Sequence, residues 1–362
     1  MTEWTTSRRD VLLGIGAAAG LMACGRGAPG AGGERLGVAL VGIGDLAQGQ
    51  VIPAIRKSGS CRLAGLVSGS RDKLRDLGSR FDVPESAQYG YDDFDRIAGN
   101  PDIDIVYILL PNAMHAEYAV RATQAGKHVL CEKPLAVSVE EGEAMIAASR
   151  SAGKFLAVAY RLQYSPHHRE MMRLAREKIY GPVQLVQANI GFGIEDDDWR
   201  LRRELAGGGV LLEQGVYAVQ AARSLNGHSP VEVLGHESNS DAKRYAEVEE
   251  SAVWTMRFPD GAIAHCAASY SMRMNRLWAG AADGFFELEP AYTYDNLRGT
   301  SSGGKIDASQ VNQFALQLDD FARCIRDGVP PELNSGEEGL QDLRIIDAIY
   351  RSIREGRPVT VA

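Results

Sequence analysis

"LGVALVGIGDLAQGQVIPAI", residues 36–55, is the stretch on which the fold turns. The apolar run Leu36 to Val41 reads as a buried strand, then breaks at a glycine turn and resumes with helical spacing. Gly42, Gly44 and Ala47 make a G-x-G-x-x-A pattern. Gly42 permits the tight turn, and Gly44 lets a pyrophosphate approach the backbone. The helix that follows offers N–H donors and a partial positive charge to the phosphates. A glycine pattern alone says little. Placed between a strand and a helix, it points to a dinucleotide.

The same rhythm continues outward. "RLAGLVSGSRDKLRDLGSRF" (62–81) repeats strand, turn and helix. Further strands are expected at Ile105–Leu110, at His128–Glu132 and within "KFLAVAYRL" (154–162), with a helix from about Val139 to Ala152. Val-, Ile- and Leu-rich strands alternating with helices imply a parallel sheet covered on both faces. Residues 34–158 are therefore expected to form a doubly wound Rossmann domain.

From about Tyr160 the pattern changes. "PVQLVQANIGF", "VEVLGHES", "ESAVWTMRF", "AIAHCAASYS" and "FFELEP" alternate apolar and polar residues. Such strands suit a large open, mostly antiparallel sheet with one face solvated or offered to a partner. Residues 159–362 are thus expected to be an α+β domain for substrate binding and oligomerisation. Its late helices, about Asn312–Asp327 and Glu337–Glu355, would pack back across both domains.

The end of the second strand selects the dinucleotide. An NAD site usually carries Asp or Glu there, to hold the ribose 2′-hydroxyl. "VSGSRDK" (67–73) has Ser68 instead, with Arg71 and Lys73 close behind. A hydroxyl and two cations suit a 2′-phosphate, so NADP is the expected cofactor.

The chemistry concentrates in two segments. "GKHVLCEKPLAV" (126–137) puts Glu132 and Lys133 at the C-terminal end of a strand, where open α/β sheets bind ligands. "WRLRRELAGGGVLLEQGVYAV" (199–219) reads as a flexible glycine entry, Gly207–Gly209, into a helix carrying Glu213 and Tyr217 four apart on one face. A phenol whose ordinary pKa is about 10 is a poor base at neutral pH. A neighbouring ammonium favours its phenolate. Lys133 and Tyr217 are therefore the expected catalytic pair for moving a proton during alcohol oxidation. Glu213 would hold a substrate hydroxyl or orient the lysine.

The chain of 362 residues is 45% hydrophobic with a formal charge of −8, which gives no footprint for nucleic acid. Arg8 and Arg9 precede an apolar run, Val11–Ala23, of 13 residues with three glycines. That is shorter than the roughly 20 residues a spanning helix needs. It reads as a twin-arginine export signal for a protein that leaves folded. "LMACG" resembles a lipoprotein box, which would make Cys24 a lipid anchor; an ordinary cleavage near Ala23 or Ala28 is the alternative. Cys61, Cys131, Cys266 and Cys324 show no metal-ligand spacing and read as small core hydrophobes.

"AGKHVLCEKP" and the 199–219 segment closely resemble the glucose–fructose and aldose–aldose oxidoreductases of the Gfo/Idh/MocA superfamily. The likeness continues through "ILLPNAMHAEYA", "YRLQYSP", "EVEESAVWTMRF" and "SGEEGLQD". It implies tightly held NADP, proton chemistry by Lys133 and Tyr217, and association into a homodimer or homotetramer through the C-terminal sheet. It also implies that Tyr89, His115, Arg161, Trp199 and Arg200 lie on segments lining the cofactor or sugar pocket, and that Tyr160 and Arg200 shape the substrate pocket around Glu213. Glu213 departs from the aspartate of that subgroup.

Export and cofactor fit together. No NADP(H) pool is maintained outside the cytoplasm, so a periplasmic enzyme would have to be loaded before export and recycle its nucleotide in place. The expected reaction is oxidation of one sugar at C1 to its lactone, with the hydride passed to a second sugar to give an alditol. A sugar dehydrogenase with exchangeable NADP and a non-catalytic periplasmic binding module are the rival expectations.

Overall fold

In the computed structural model, residues 34–361 are described. The export segment, with Arg8, Arg9 and Cys24, lies outside them. The first sheet has six parallel strands: β1 Leu36–Val41, β2 Cys61–Val67, β3 Gln88–Tyr89, β4 Ile105–Ile108, β5 His128–Cys131 and β6 Leu156–Val158. Their order, β3-β2-β1-β4-β5-β6, reverses between β1 and β4. That reversal opens a crevice at the strands' carboxyl ends, the place where doubly wound sheets take nucleotides. The sequence expectation of a Rossmann domain holds.

Its helices are α1 Ile52–Lys57, α2 Arg71–Phe81, α3 His115–Gln124 and α4 Val139–Ser151. Ser70 and Ser138 cap α2 and α4 by accepting from the backbone N–H groups of Lys73 and Glu141. The helix after the glycine turn begins with a wide π turn, Ala47–Val51, before α1. Pro53 lies in the first turn of α1 and has no N–H to donate back along the helix, which accounts for the loosened turn before it.

The strand expected over 154–162 is confined to β6. Beyond it, Asn334 replaces the ladder: its backbone carbonyl accepts from the N–H of Val158 at 2.7 Å, and its side-chain amide donates to the Val158 carbonyl at 2.8 Å. The chain then tightens into a 3₁₀ turn, Arg161–Tyr164, and enters α5, Pro166–Arg176.

The second sheet has nine strands: β7 Val183–Gly191, β8 Glu232–Ser238, β9 Ser251–Arg257, β10 Ile263–Ser269, β11 Met274–Ala281, β12 Gly284–Leu288, β13 Gly299–Ser301, β14 Gly304–Ile306 and β15 Val359–Thr360. All neighbours are antiparallel except the central pair β7 and β10. One face is buried, as Ala252, Trp254 and Met256 of β9 illustrate, while Val253, Thr255 and Arg257 face outward.

Between β7 and β8 lie the short helices α6 Arg203–Ala206 and α7 Val210–Glu213, followed by α8 Gly215–Asn226. The helix expected to run unbroken through Glu213 and Tyr217 is therefore divided at Gln214. Two late helices, α9 Gln313–Asp327 and α10 Gly336–Glu355, join the sheets. From α9, Asp319 accepts from the Ser60 N–H at 3.0 Å, at the entry to β2. α10 packs on α4 of the first sheet and on β8 of the second. Cys61, Cys131, Cys266 and Cys324 are buried as free thiols.

Candidate active site

A cleft of about 1000 Å³ runs from the β1 turn to α8 and the loops of the second sheet. At its nucleotide end, Gly42 has φ +89°, and a Cβ there would meet the Leu109 carbonyl oxygen at 2.6 Å. Gly44 is the opposite case. A Cβ on it meets nothing within 4 Å, so its backbone faces open space in the cleft wall. That is the cradle a pyrophosphate requires. Ser68 and Lys73 border the same end, and the Ser68 hydroxyl turns the chain into α2 by accepting from the Ser70 N–H at 3.2 Å. These residues fit a dinucleotide with a phosphate on its adenosine ribose. Arg71 stands outside the cleft wall, its guanidinium beside Gly90 and Asp93.

The chemical end is built on β5. Glu132 and Lys133 follow its last residue, Cys131. Glu132 is locked beneath: the Tyr107 hydroxyl of β4 donates to its carboxylate at 2.9 Å. Burial pushes its carboxyl up, against the opposing pull of Lys133. The Lys133 ammonium reaches across to α7, where Nζ donates to Glu213 Oε1 at 2.7 Å and to the Glu213 carbonyl at 2.8 Å. Burial, the largest single influence, would lower the ammonium, yet the Glu213 carboxylate and the Tyr217 phenol together outweigh it, so the group is held above its ordinary 10.5. Burial opposes the Glu213 carboxylate in turn, but Lys133 and Arg200 bring it down to about 2.

Arg200 stacks over the Trp199 ring at 4.6 Å, grips Asp198 at 3.1 Å and lies 3.3 Å from Glu213 Oε1. Arg161, buried after β6, donates to Gln313 Oε1 at 2.6 Å and to the Tyr292 carbonyl at 2.6 Å. Its guanidinium covers Tyr294 and Tyr217 at 4.5 and 5.4 Å from the ring centres. Tyr217 borders the cleft between two cations, with Lys133 Nζ 5.0 Å from its ring centre. Its hydroxyl makes no hydrogen bond among the described residues. A polar group left without an internal partner at a cleft wall is available to a ligand.

The structure thus brings Gly42, Gly44, Ala47, Ser68, Lys73, Glu132, Lys133, Arg161, Trp199, Arg200, Glu213 and Tyr217 to one cleft. It does not bring the others. Tyr160, expected to touch substrate, is buried with its hydroxyl donating to Asp342 of α10 at 2.6 Å. Tyr89 is buried and accepts from Asn100 at 3.0 Å. His115 is enclosed between the carbonyls of Pro134 and Leu110, at 2.8 and 3.0 Å, and braces the turn that holds Lys133. Glu213 is placed to orient the lysine: its Oε1 is committed to cations, while its Oε2 is buried and has no partner among the described residues. Asp198 and Tyr294 belong to the cleft and were not anticipated. The acidic run before Trp199 was the available signal for the first; nothing local marks the second.

A solved structure of an aldose-aldose oxidoreductase from Caulobacter crescentus, complexed with glycerol, is similar to this chain. It shares 42% identity with a TM-score of 0.88, over 90% of this chain and 100% of that one. The 1,5-anhydro-D-fructose reductase of Ensifer adhaerens is 32% identical over 89% of this chain and 97% of its own. The D-xylose 1-dehydrogenase [NADP(+)] of Haloarcula marismortui is 30% identical, covering 87% of this chain and 90% of its own. Residues 36–160 match the oxidoreductase family with NAD-binding Rossmann fold, residues 168–287 the GFO/IDH/MocA C-terminal domain, and residues 289–361 the oxidoreductase family C-terminal alpha/beta domain. The chain belongs to the Gfo/Idh/MocA oxidoreductase family.

Proposed function

We propose that this protein is an NADP-dependent sugar oxidoreductase that oxidises an aldose at C1 to the lactone and passes the hydride to a second sugar, giving an alditol. One observation carries this reading: the Tyr217 hydroxyl borders the cleft without a partner among the described residues, beside an ammonium fixed by Glu213. The likeness to sugar dehydrogenases and to an aldose-aldose oxidoreductase supports the substrate class.

Gly42, Gly44 and Ala47 would hold the pyrophosphate, and Ser68 and Lys73 the 2′-phosphate. NADP bound there supplies the hydride acceptor in one half-reaction and the hydride donor in the other. Tyr217 takes the proton of the C1 hydroxyl as the C1 hydrogen leaves with its electron pair. In the second half it gives that proton to the carbonyl oxygen of the incoming sugar. Lys133 offsets the charge on the phenol oxygen in both directions and stays protonated because Glu213 faces it. Arg161 closes the other face of the ring.

The nucleotide is proposed to stay bound through the cycle, giving ping-pong kinetics. It would be loaded before the folded protein is exported to the periplasm through the twin-arginine route, with a lipid anchor at Cys24 as a further proposal. Self-association is proposed through the outer face of the nine-stranded sheet, where Val253 and Ile263 are exposed. The test is product analysis of protein as purified, incubated with single sugars and with pairs. Lactone plus alditol without added nucleotide supports the reading. Turnover that requires added NADP makes it an ordinary dehydrogenase, and binding without turnover makes it a binding module.

A further inference from the structure

The glycine entry to α7 is not slack. Gly208 lies under the Tyr350 hydroxyl of α10, where a Cβ would meet that oxygen at 2.5 Å. A Cβ on Gly209 would meet the Glu249 carbonyl oxygen at 2.4 Å and its Oε2 at 2.5 Å. The three N–H groups that open the helix all end on Glu249. Gly209 donates to Oε2 at 3.0 Å, Leu211 to Oε1 at 3.0 Å, and Val210 to its backbone carbonyl at 3.2 Å. Tyr350 donates to Oε1 at 2.8 Å from the other side. Glu249 is 3% exposed, and burial pushes its carboxyl up against the pull of these donors.

We infer that Glu249 is a positioning residue for the site: by clamping the first turn of α7 it sets where Glu213, and through it the Lys133 ammonium, stands in the cleft. This rests on the proposed role of Lys133 and Tyr217. The geometry is direct. α7 is a single turn, and Glu213 is its last residue. Lys133 is held by both the backbone carbonyl and the carboxylate of Glu213, so a shift or rotation of this turn moves both contacts together. A four-residue helix has too few internal hydrogen bonds to resist such a shift without an external anchor. Glu249 sits on the sheet side, just before β9, and Tyr350 ties it to α10. The lysine of one domain is thus registered against the frame of the other through a buried carboxylate that touches no reacting atom.

The test compares wild type, Glu249→Gln, Tyr350→Phe and Glu213→Gln, singly and as Glu213→Gln/Glu249→Gln. Glu249→Gln keeps the shape but turns one acceptor into a donor facing the Gly209 N–H. The expected result is kcat reduced about 10-fold or more, with a twofold or smaller change in sugar KM and unchanged nucleotide content. Its pH–rate profile should also move toward that of Glu213→Gln. The double variant should fall little below Glu213→Gln alone, since both changes act through one contact. Tyr350→Phe, which leaves the carboxylate in place, should shift the same quantities less. Hydrogen exchange at residues 209–213 should quicken in Glu249→Gln whether or not any sugar turns over. Faster exchange with a wild type inert toward sugars would overturn the proposed function and leave the clamp standing. A Glu249→Gln protein with lowered thermal stability but wild-type kcat and pH profile, or additive losses in the double variant, would overturn the inference.

Discussion

Lys133 Nζ donates to both the carboxylate and the backbone carbonyl of Glu213, at 2.7 and 2.8 Å, and so bridges the parallel sheet to the short helix opposite it. Both partners are largely buried. Removing one member of such a pair strands a charge in a poorly solvated place, which costs about 3–5 kcal/mol. The Glu213 carboxyl lies below its usual 4.5, at about 2, so its contribution is present above about 4.5 and fades as pH falls toward 2. The Lys133 shift is upward, so its contribution is full below 10.5 and fades as pH rises beyond that. Glu213→Gln is therefore expected to lower thermal stability most between about pH 5 and pH 10. Its deficit should narrow at the acidic end. Calorimetry of both proteins across pH checks this.

Tyr217→Phe is expected to leave the fold untouched, because the hydroxyl it removes has no hydrogen-bond partner among the described residues. Turnover should fall by about 10²–10⁴-fold, the usual contribution of a positioned acid or base. Melting temperature and bound-nucleotide content should match wild type. Single-turnover kinetics beside a thermal melt provide the measurement.

The two motif glycines should separate. Gly44→Val introduces a side chain into empty space, so a stable protein lacking nucleotide is expected. Gly42→Ala must fit a side chain at φ +89° against a carbonyl 2.6 Å away, so lowered stability is expected as well as lost nucleotide. Absorbance of the purified variants and their melts distinguish the two outcomes.

How far the sequence could be read follows the range of the forces involved. The glycine turn and Ser68 with Lys73 are local features, and they stand where residues 36–73 placed them. Lys133 and Tyr217 sit at the ends of elements whose type was clear, so their meeting was legible. Tyr160 was not. Its ring is drawn away from the cleft by Asp342, 182 positions later, and no local pattern carries that contact. The break at Gln214 was hidden for a similar reason: the anchor of α7 is Glu249, on a different strand's approach. β11 was missed because its alternation is weak, with only Leu277 and Ala279 buried along its length, and β13, β14 and β15 were missed because each is only two or three residues long.

Tyr160→Phe tests that correction. The hydroxyl donates at 2.6 Å to a buried carboxylate that also pairs with Arg223. A hydrogen bond to a charged group is worth about 1.5–3 kcal/mol. The variant should lose stability on that order while sugar KM stays within about twofold. A KM shift with unchanged stability would return Tyr160 to the substrate pocket.

Ser68→Asp places the acidic group of an NAD site at the end of β2, and Lys73→Ala removes a cation from the same end of the cleft. Each is expected to weaken NADP⁺ by about 10-fold or more, consistent with loss of a charge-assisted contact of 1.5–3 kcal/mol, while NAD⁺ weakens less or improves. Calorimetric titration of stripped protein with the two nucleotides reads the ratio.

The most direct measurement follows the near-ultraviolet absorbance of reduced nicotinamide in protein as purified, with no nucleotide added. One aldose should raise the signal by one equivalent per bound nucleotide. After the free sugar is removed, a second sugar should discharge it, and Tyr217→Phe should do neither at a comparable rate. Protein that emerges without nucleotide, or whose signal neither rises nor falls with any sugar, would contradict a hydride kept on bound NADP while Tyr217, beside Lys133, moves the accompanying proton.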